Sequence, residues 1–289
     1  MDFRPSPRRF EDVIAANESD AAPVYRKMID GEFPKTNQAR ADFSFFLAYL
    51  FLRTKATFLD VANLIGRYAQ MMNYANGSNP RAFDGLIRSV EKERGESMPQ
   101  EVKEEVRRQL VDPSGLPFLV PRGRAMMSLA TGDKLAQMLF DMRWSLAKAE
   151  HGFFITCDNP PVRWVDPESV HPIYGDGGFT NPTAQVTLAL DPRTILILSW
   201  DEASPERFVM TRDGVDFWNN ARAWHAEEFL YSHVEHEDIA RLAKRFKGSR
   251  PKVTTEGLGP ERWAEVAMPR KWKQKSASKR PFAGTTKTR

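Results

Sequence analysis

Asp158 and Asn159 are, by residue type and setting, the side chains of this sequence best suited to do chemistry. They follow an apolar, β-prone run, Phe153-Phe154-Ile155-Thr156-Cys157, and precede Pro160-Pro161. An Asx-Pro turn of this kind fixes two polar groups at the end of a core strand. A carboxylate and a carboxamide held there can take a proton, ligate a cation or orient a polar ligand. The plainer reading is an Asx-turn, in which Asp158 accepts backbone N–H groups and ends the strand. Both readings stay open. A second acid–proline turn, Asp191-Pro192, closes another β-rich run, so neighbouring strands would bring the two carboxylates to one sheet end. Asn219 and Asn220 follow Asp216 in a helical stretch and either reach the same rim or stand as exposed amides.

A cation for such a site is available in Arg53. It follows the most apolar helical run of the chain, where an unpartnered charge is expensive. Arg53, Thr57, Asp60, Leu64 and Arg67 recur at steps of three and four and share one stripe. The stripe is either an internal or exposed ion-pair face, or an arginine aimed at an anion with Asp60 orienting it.

Other chemistries lack their residues. None of the histidines, His151, His171, His225, His233 and His236, lies in a metal-spacing motif, so no metal site is expected. Ser114 sits outside a nucleophile elbow. Cys157 is the single cysteine, which excludes an internal disulfide, and the adjacent Asp158 disfavours its thiolate. The glycines at 175, 177 and 178 are not followed by GK[ST], so they form no phosphate loop. No cofactor is indicated.

The elements that must position these groups can be read in order. Residues 10–28 give two short helical pieces. Thr36 or Asn37 caps a long apolar helix running to about Tyr74. Residues 87–110 form two charged helices opening the second at Met98-Pro99, and Asp112–Pro121 is a proline-rich connector. A further core helix spans 124–150. Beyond His151-Gly152 the chain turns extended: 153–157 is a strand, 162–165 resumes it, and 185–190 with 194–200 make a hairpin. Helices at 217–233 and 235–246 follow. The fold class is α+β: a helical N-terminal half packed on a small antiparallel sheet, C-terminal helices, and a basic disordered tail. We expect one domain over 1–268, helical to about 150 and sheet-containing over 151–268, with 269–289 as the tail.

The net charge of +4 is misleading, because 269–289 alone contributes +8 and leaves the body at −4. The basic character therefore belongs to an appendage and not to a folded nucleic-acid-binding face. No apolar stretch approaches the roughly 20 residues a membrane span needs, and the first residues lack an apolar leader core. A soluble cytoplasmic protein with no membrane partner is expected.

Three pieces resemble a known family in their order. They are Leu50-Phe51-Leu52-Arg53-Thr54, then Thr156-Cys157-Asp158-Asn159-Pro160, then an Asn-bearing helix running into Phe229-Leu230-Tyr231-Ser232. Together they are similar to the mostly bacterial domain-of-unknown-function family 4238, over roughly residues 10–245. The resemblance implies a helical half, an Asp-Asn-Pro turn and a shared site, with no assigned activity. Cys157 stands where the family has Ser, Ala189-Leu190-Asp191-Pro192 where it has Pro-Leu-Ser-Pro, and its His-x-x-Pro opening is not found before Arg8. The expected function is a polar pocket for a phosphate-bearing or other anionic ligand. Arg53 would hold the anion, with Asp60, Asn159, Asp191, Asn219 and Asn220 around it. Asp158 would act if the protein is a hydrolase of nucleic acid or nucleotide. The alternative is a non-catalytic binding or defence-related interaction module in which the Asp-Asn-Pro turn is structural; the basic tail could meet nucleic acid in either case.

Overall fold

A computed structural model describes residues 7–112, 131–171 and 175–250, which fall into two compact units, 7–57 with 131–250 and 58–112. The fold is α+β.

In the first unit, α1 (Pro7–Ile29), α2 (Asn37–Leu52) and α6 (Gly132–Asp141) accompany a five-stranded sheet. Its strands are β1 (Arg143–Ala149), β3 (Val162–Trp164), β4 (Gln185–Ala189), β5 (Thr194–Ser199) and β6 (Arg207–Met210), in the order β3-β4-β5-β1-β6. All neighbours are antiparallel except β1 and β6, so the sheet is mixed. The second sheet holds only β2 (Thr156–Cys157) and β7 (Leu230–Tyr231). Helices α7 (Arg212–His225) and α8 (Glu237–Phe246) complete the unit.

The alternation of strand side chains divides the core in two. Leu196 and Leu198 of β5 join Trp144 and Leu146 of β1 in a cluster with Met28, Phe43, Leu47 and Leu139 from the three N-terminal-side helices. Ile195 and Ile197 point the other way, with Ala147 and Ala149, onto Val215, Trp218 and Ala221 of α7. Every residue of β5 is buried, as a strand covered on both faces requires. Phe43 anchors the first cluster, its ring 5.4 to 6.4 Å from those of Tyr25, Phe46 and Trp144.

The second unit contains α3 from residue 58 onward (Lys55–Ser78), α4 (Pro80–Arg94) and α5 (Gln100–Val111). Asn79 caps α4 with Pro80 next to it, and Gly95 closes it at φ +73°, a left-handed value that glycine adopts without strain. At Gly77 the helices approach so closely that a Cβ would lie 2.9 Å from side-chain carbons of Leu110 and Val111.

Four expected elements differ, the first being the two short pieces expected over 10–28, which are the single helix α1 running through Pro23. Second, the long helix breaks at Arg53-Thr54. Thr54 Oγ1 accepts the Thr57 N–H at 3.2 Å, which caps α3, while the Thr54 and Thr57 hydroxyls both donate to the Phe51 carbonyl. Third, 143–149 is a strand, because both of its faces meet core and its backbone pairs with β5 and β6. Of the expected helix at 124–150, the part 124–130 lies outside the described residues, as does most of the connector 112–121 and the tail 269–289. Fourth, the helix expected to reach His233 stops at His225.

Replacing Thr54 with Ala should lower stability by about 1 kcal/mol through loss of the cap. The denaturant midpoint should drop with an unchanged m-value, and Thr54→Ser should retain most of the midpoint.

Candidate functional site

The segment 153–159 is extended, yet only Thr156 and Cys157 have a strand partner. Side chains supply the rest of its pairing. Asn219 Oδ1 accepts the Ile155 N–H at 3.0 Å, and Asn219 Nδ2 donates to the Phe153 carbonyl at 2.8 Å. The carboxamide thus behaves as one peptide group of an absent neighbour strand and ties the segment to α7. Phe154 N–H goes to the Pro192 carbonyl in the β4–β5 turn. Asn219 is buried, so each of these bonds replaces one that water would otherwise make.

Asp158 performs the matching task at the other end. Its carboxylate accepts N–H groups of Glu227 at 2.9 Å, Glu228 at 2.7 Å and Phe229 at 3.3 Å. This arrangement explains where α7 ends. Ala226 N–H still reaches the Arg222 carbonyl, but the next three N–H groups turn to Asp158 in place of the preceding helical turn. The Asp158 backbone N–H returns a bond to the Phe229 carbonyl. Charges reinforce the loop: Glu227 pairs with the nearly buried Arg250, and Glu228 with Lys55. The hydrogen bond that Lys55 donates to Glu228 raises the pKa of Lys55, and the charges of Glu228, Glu227 and Asp158 add to it.

The other residues singled out in the sequence have different placements. Arg53 pairs with Glu18 at 2.5 Å, so Lys55 is the cation at the Asp158 loop. Asp60 belongs to the second unit. Asp191 Oδ1 accepts the Arg193 N–H at 2.6 Å inside the β4–β5 turn. Asn220 Nδ2 donates to the Asp216 carbonyl one turn back. Asp158 and Asn159 therefore lie on one segment, which Asn219 of α7 clamps.

Sequence reasoning missed Arg222. It lies in the apolar stripe of α7 with Val215 and Trp218, and the stripe was the available signal: a charge at i+4 and i+7 from large apolar residues. Arg222 is 0% exposed. One Nη donates to the Trp218 carbonyl at 3.1 Å and the other to Thr187 Oγ1 at 3.3 Å, while Nε has no partner. Burial pushes this guanidinium down to about 10, which leaves it charged at neutral pH. Burial likewise pushes the Cys157 thiol up to about 11, so it is not a nucleophile poised for catalysis. The thiol donates to the Asn159 carbonyl at 3.1 Å, and Asn159 Oδ1, also buried, is unpaired.

An open cleft of about 670 Å³ lies elsewhere in the same unit, lined among others by Arg40, Arg143, Trp144, Trp200 and Ser199. Arg40 sits in the first turn of α2, where a cation opposes the helix dipole. Its side chain crosses to the C-terminal end of α6 instead, donating to the Phe140 and Met142 carbonyls at 3.0 and 2.7 Å. The guanidinium also lies 4.7 Å from the Trp144 ring centre. Arg143 Nε donates to the Ser204 carbonyl at 2.6 Å. Among the described residues neither arginine makes an ion pair. Asp141, Glu202 and Glu206 also line the cleft. Among those residues, no group of three potential metal ligands occurs, and no helix is long and apolar enough to cross a membrane.

An α+β unit with a sheet between helical layers and an Asp-Asn-Pro turn clamped to a following helix is the architecture in hand. The chain belongs to DUF4238, a family described as protein of unknown function, whose profile matches residues 4–236. No curated protein and no solved structure matches it.

Asp158→Asn turns one acceptor oxygen into a donor facing N–H groups, and should lower stability by about 1–3 kcal/mol in denaturant titration. A pH effect follows from His225, whose Nδ1 lies 3.0 Å from the Ala221 carbonyl. Burial lowers its pKa from 6.5 to about 4. Between those values the unfolded chain takes up the proton first, so stability falls as pH drops from 6.5 towards 4. His225→Gln should flatten that stretch of the stability–pH curve.

Proposed function

We propose that this protein binds a phosphate-bearing or other anionic ligand in the cleft lined by Arg40 and Arg143, and that its Asp-Asn-Pro turn holds the fold. The observation that carries the reading is the pair of arginines. Each is fixed by bonds to backbone carbonyls, neither makes an ion pair within 4 Å among the described residues, although the Asp141 charge acts on Arg40, and both line one cleft. Guanidinium groups held in this way present further donors to an anion without first having to be ordered. A volume of about 670 Å³ suits a nucleotide-sized molecule. The half-buried Trp200 offers ring surface for its uncharged part, and the carboxylates of Glu202 and Glu206 offer acceptors for hydroxyl or amino groups.

Asp158 is a poor candidate base in this reading, since its oxygens are engaged by three backbone N–H groups. Hydrolysis of the bound ligand would have to draw on Glu202 or Glu206, the carboxylates beside the arginines. The lone free thiol, Cys157, fits a reducing cytoplasm as the compartment.

Titration with inorganic phosphate, AMP and ATP, followed by tryptophan fluorescence and calorimetry, tests the proposal. A nucleotide should bind and change the tryptophan signal. Arg143→Gln should weaken binding by tenfold or more, about 1.4 kcal/mol, while Asp158→Asn, less stable, should bind as the parent does at a temperature where both are folded. No saturable binding by any of the three, or equal affinity in the Arg143 variant, would overturn it. Phosphate release from ATP that disappears in Glu206→Gln or Glu202→Gln would make the protein an enzyme.

A further inference from the structure

The cleft that carries Arg40 and Arg143 is also lined by three carboxylates, Asp141, Glu202 and Glu206, so two cations stand against three anions. The Asp141 charge acts on Arg40. The two glutamates belong to the turn after β5, whose bonds make it a fixed mount. Within it, the Asp201 carboxylate accepts the Ala203 N–H at 3.0 Å and the Ser204 hydroxyl at 3.2 Å, and the Asp201 carbonyl accepts the Ser204 N–H at 3.1 Å. The carbonyls that follow are tied to β1. That of Ser204 accepts from Arg143 Nε at 2.6 Å, that of Pro205 from the Ser145 hydroxyl at 2.7 Å, and that of Glu206 from the Leu146 N–H at 2.8 Å. The strand that supplies Arg143 therefore also anchors the two glutamates. Asp201 serves the turn, whereas Glu202 and Glu206 are exposed and make no ion pair among the described residues.

Charges of both signs without ion pairs, mounted on fixed backbone around one cleft, constrain the charges of what fits there. A ligand that is only anionic meets repulsion from the glutamates, and one that is only cationic meets it from the arginines. Asp141, Glu202 and Glu206 do not form a metal-ligating group, so the positive charge opposite the glutamates comes with the ligand. Resting on the reading of the cleft as an anion site, we propose that its ligand is a zwitterionic phosphate ester, a molecule with a protonated primary amine besides its phosphate. Arg40 and Arg143 take the phosphate, and Glu202 and Glu206 take the ammonium. Phosphorylated amino sugars and amino alcohols have this pattern. The glutamates thus set specificity. Because they are exposed, their effect is a moderate preference and not an absolute requirement.

Calorimetric titration with glucosamine 6-phosphate, glucose 6-phosphate and N-acetylglucosamine 6-phosphate tests this, at about pH 6.5, where an amine of this kind is charged. These esters share one phosphate and differ in bearing an ammonium, a hydroxyl or a neutral amide. The amine should bind about fivefold more tightly than either of the others. Replacing both glutamates, Glu202→Gln with Glu206→Gln, should abolish that preference and tighten glucose 6-phosphate, which two carboxylates no longer repel. Both side chains are exposed, so the double variant should fold as the parent does. Equal affinity of the parent for the three esters overturns the proposal and leaves the anion site standing, as does binding of AMP with none of the three. A preference for the amine that survives in the double variant overturns it as well. If neither AMP nor any of the esters binds, the anion site and its zwitterionic ligand fall together.

Discussion

The extended segment 153–159 crosses the interior with a ladder partner for only two of its residues, and a buried backbone cannot leave its other groups unpaired. Asn219 and Asp158 resolve this with side chains. The carboxamide pairs with residues 153 and 155, and the carboxylate gathers the N–H groups of 227–229. Much else depends on this double clamp. It holds α7 over the sheet, ends that helix at His225, and turns the chain into β7, which then pairs with β2. Loss of Asn219 would strand the buried Ile155 N–H, which is costlier than losing a hydrogen bond between exposed groups such as those Asp158 makes to Glu228 and Phe229.

Around the clamp, charge is arranged in a graded way. Lys55 with Glu228 is half-exposed and contributes little on its own. Arg250 with Glu227 is nearly buried. Arg222 lies deepest and has dipoles in place of an acid. The sheet explains why this gradient exists: one face is sealed by α1, α2 and α6 with leucines and aromatics, while the α7 face carries Thr187 and Gln185 among its apolar residues.

The family motifs acquire physical content from these contacts. The Arg-Thr pair after the apolar helix marks a helix break, since Thr54 caps α3 and donates to the Phe51 carbonyl of α2. The asparagine of the later helix is Asn219, a peptide mimic for the turn segment. Both are folding devices that a motif scan would equally credit to a site. The cleft arginines, Arg40 and Arg143, belong to none of these motifs. Each was visible in the sequence only as one cation among many.

The sequence by itself determined the α+β class, the hairpin at Asp191-Pro192-Arg193, the cap at Thr36, and the unreactive character of Cys157. These depend on local turn chemistry, on periodicity, or on one residue and its neighbour. Tertiary structure alone decided that 143–149 is a strand, because its helix-like spacing yields to pairing on both edges. It also decided where α7 stops, since the competing acceptor for its next N–H groups lies some 70 residues earlier at Asp158. The same holds for the partners of each arginine. Whether a guanidinium meets Glu18, a helix end or no acid at all depends on which segments fold beside it, and residue spacing along the chain carries no record of that.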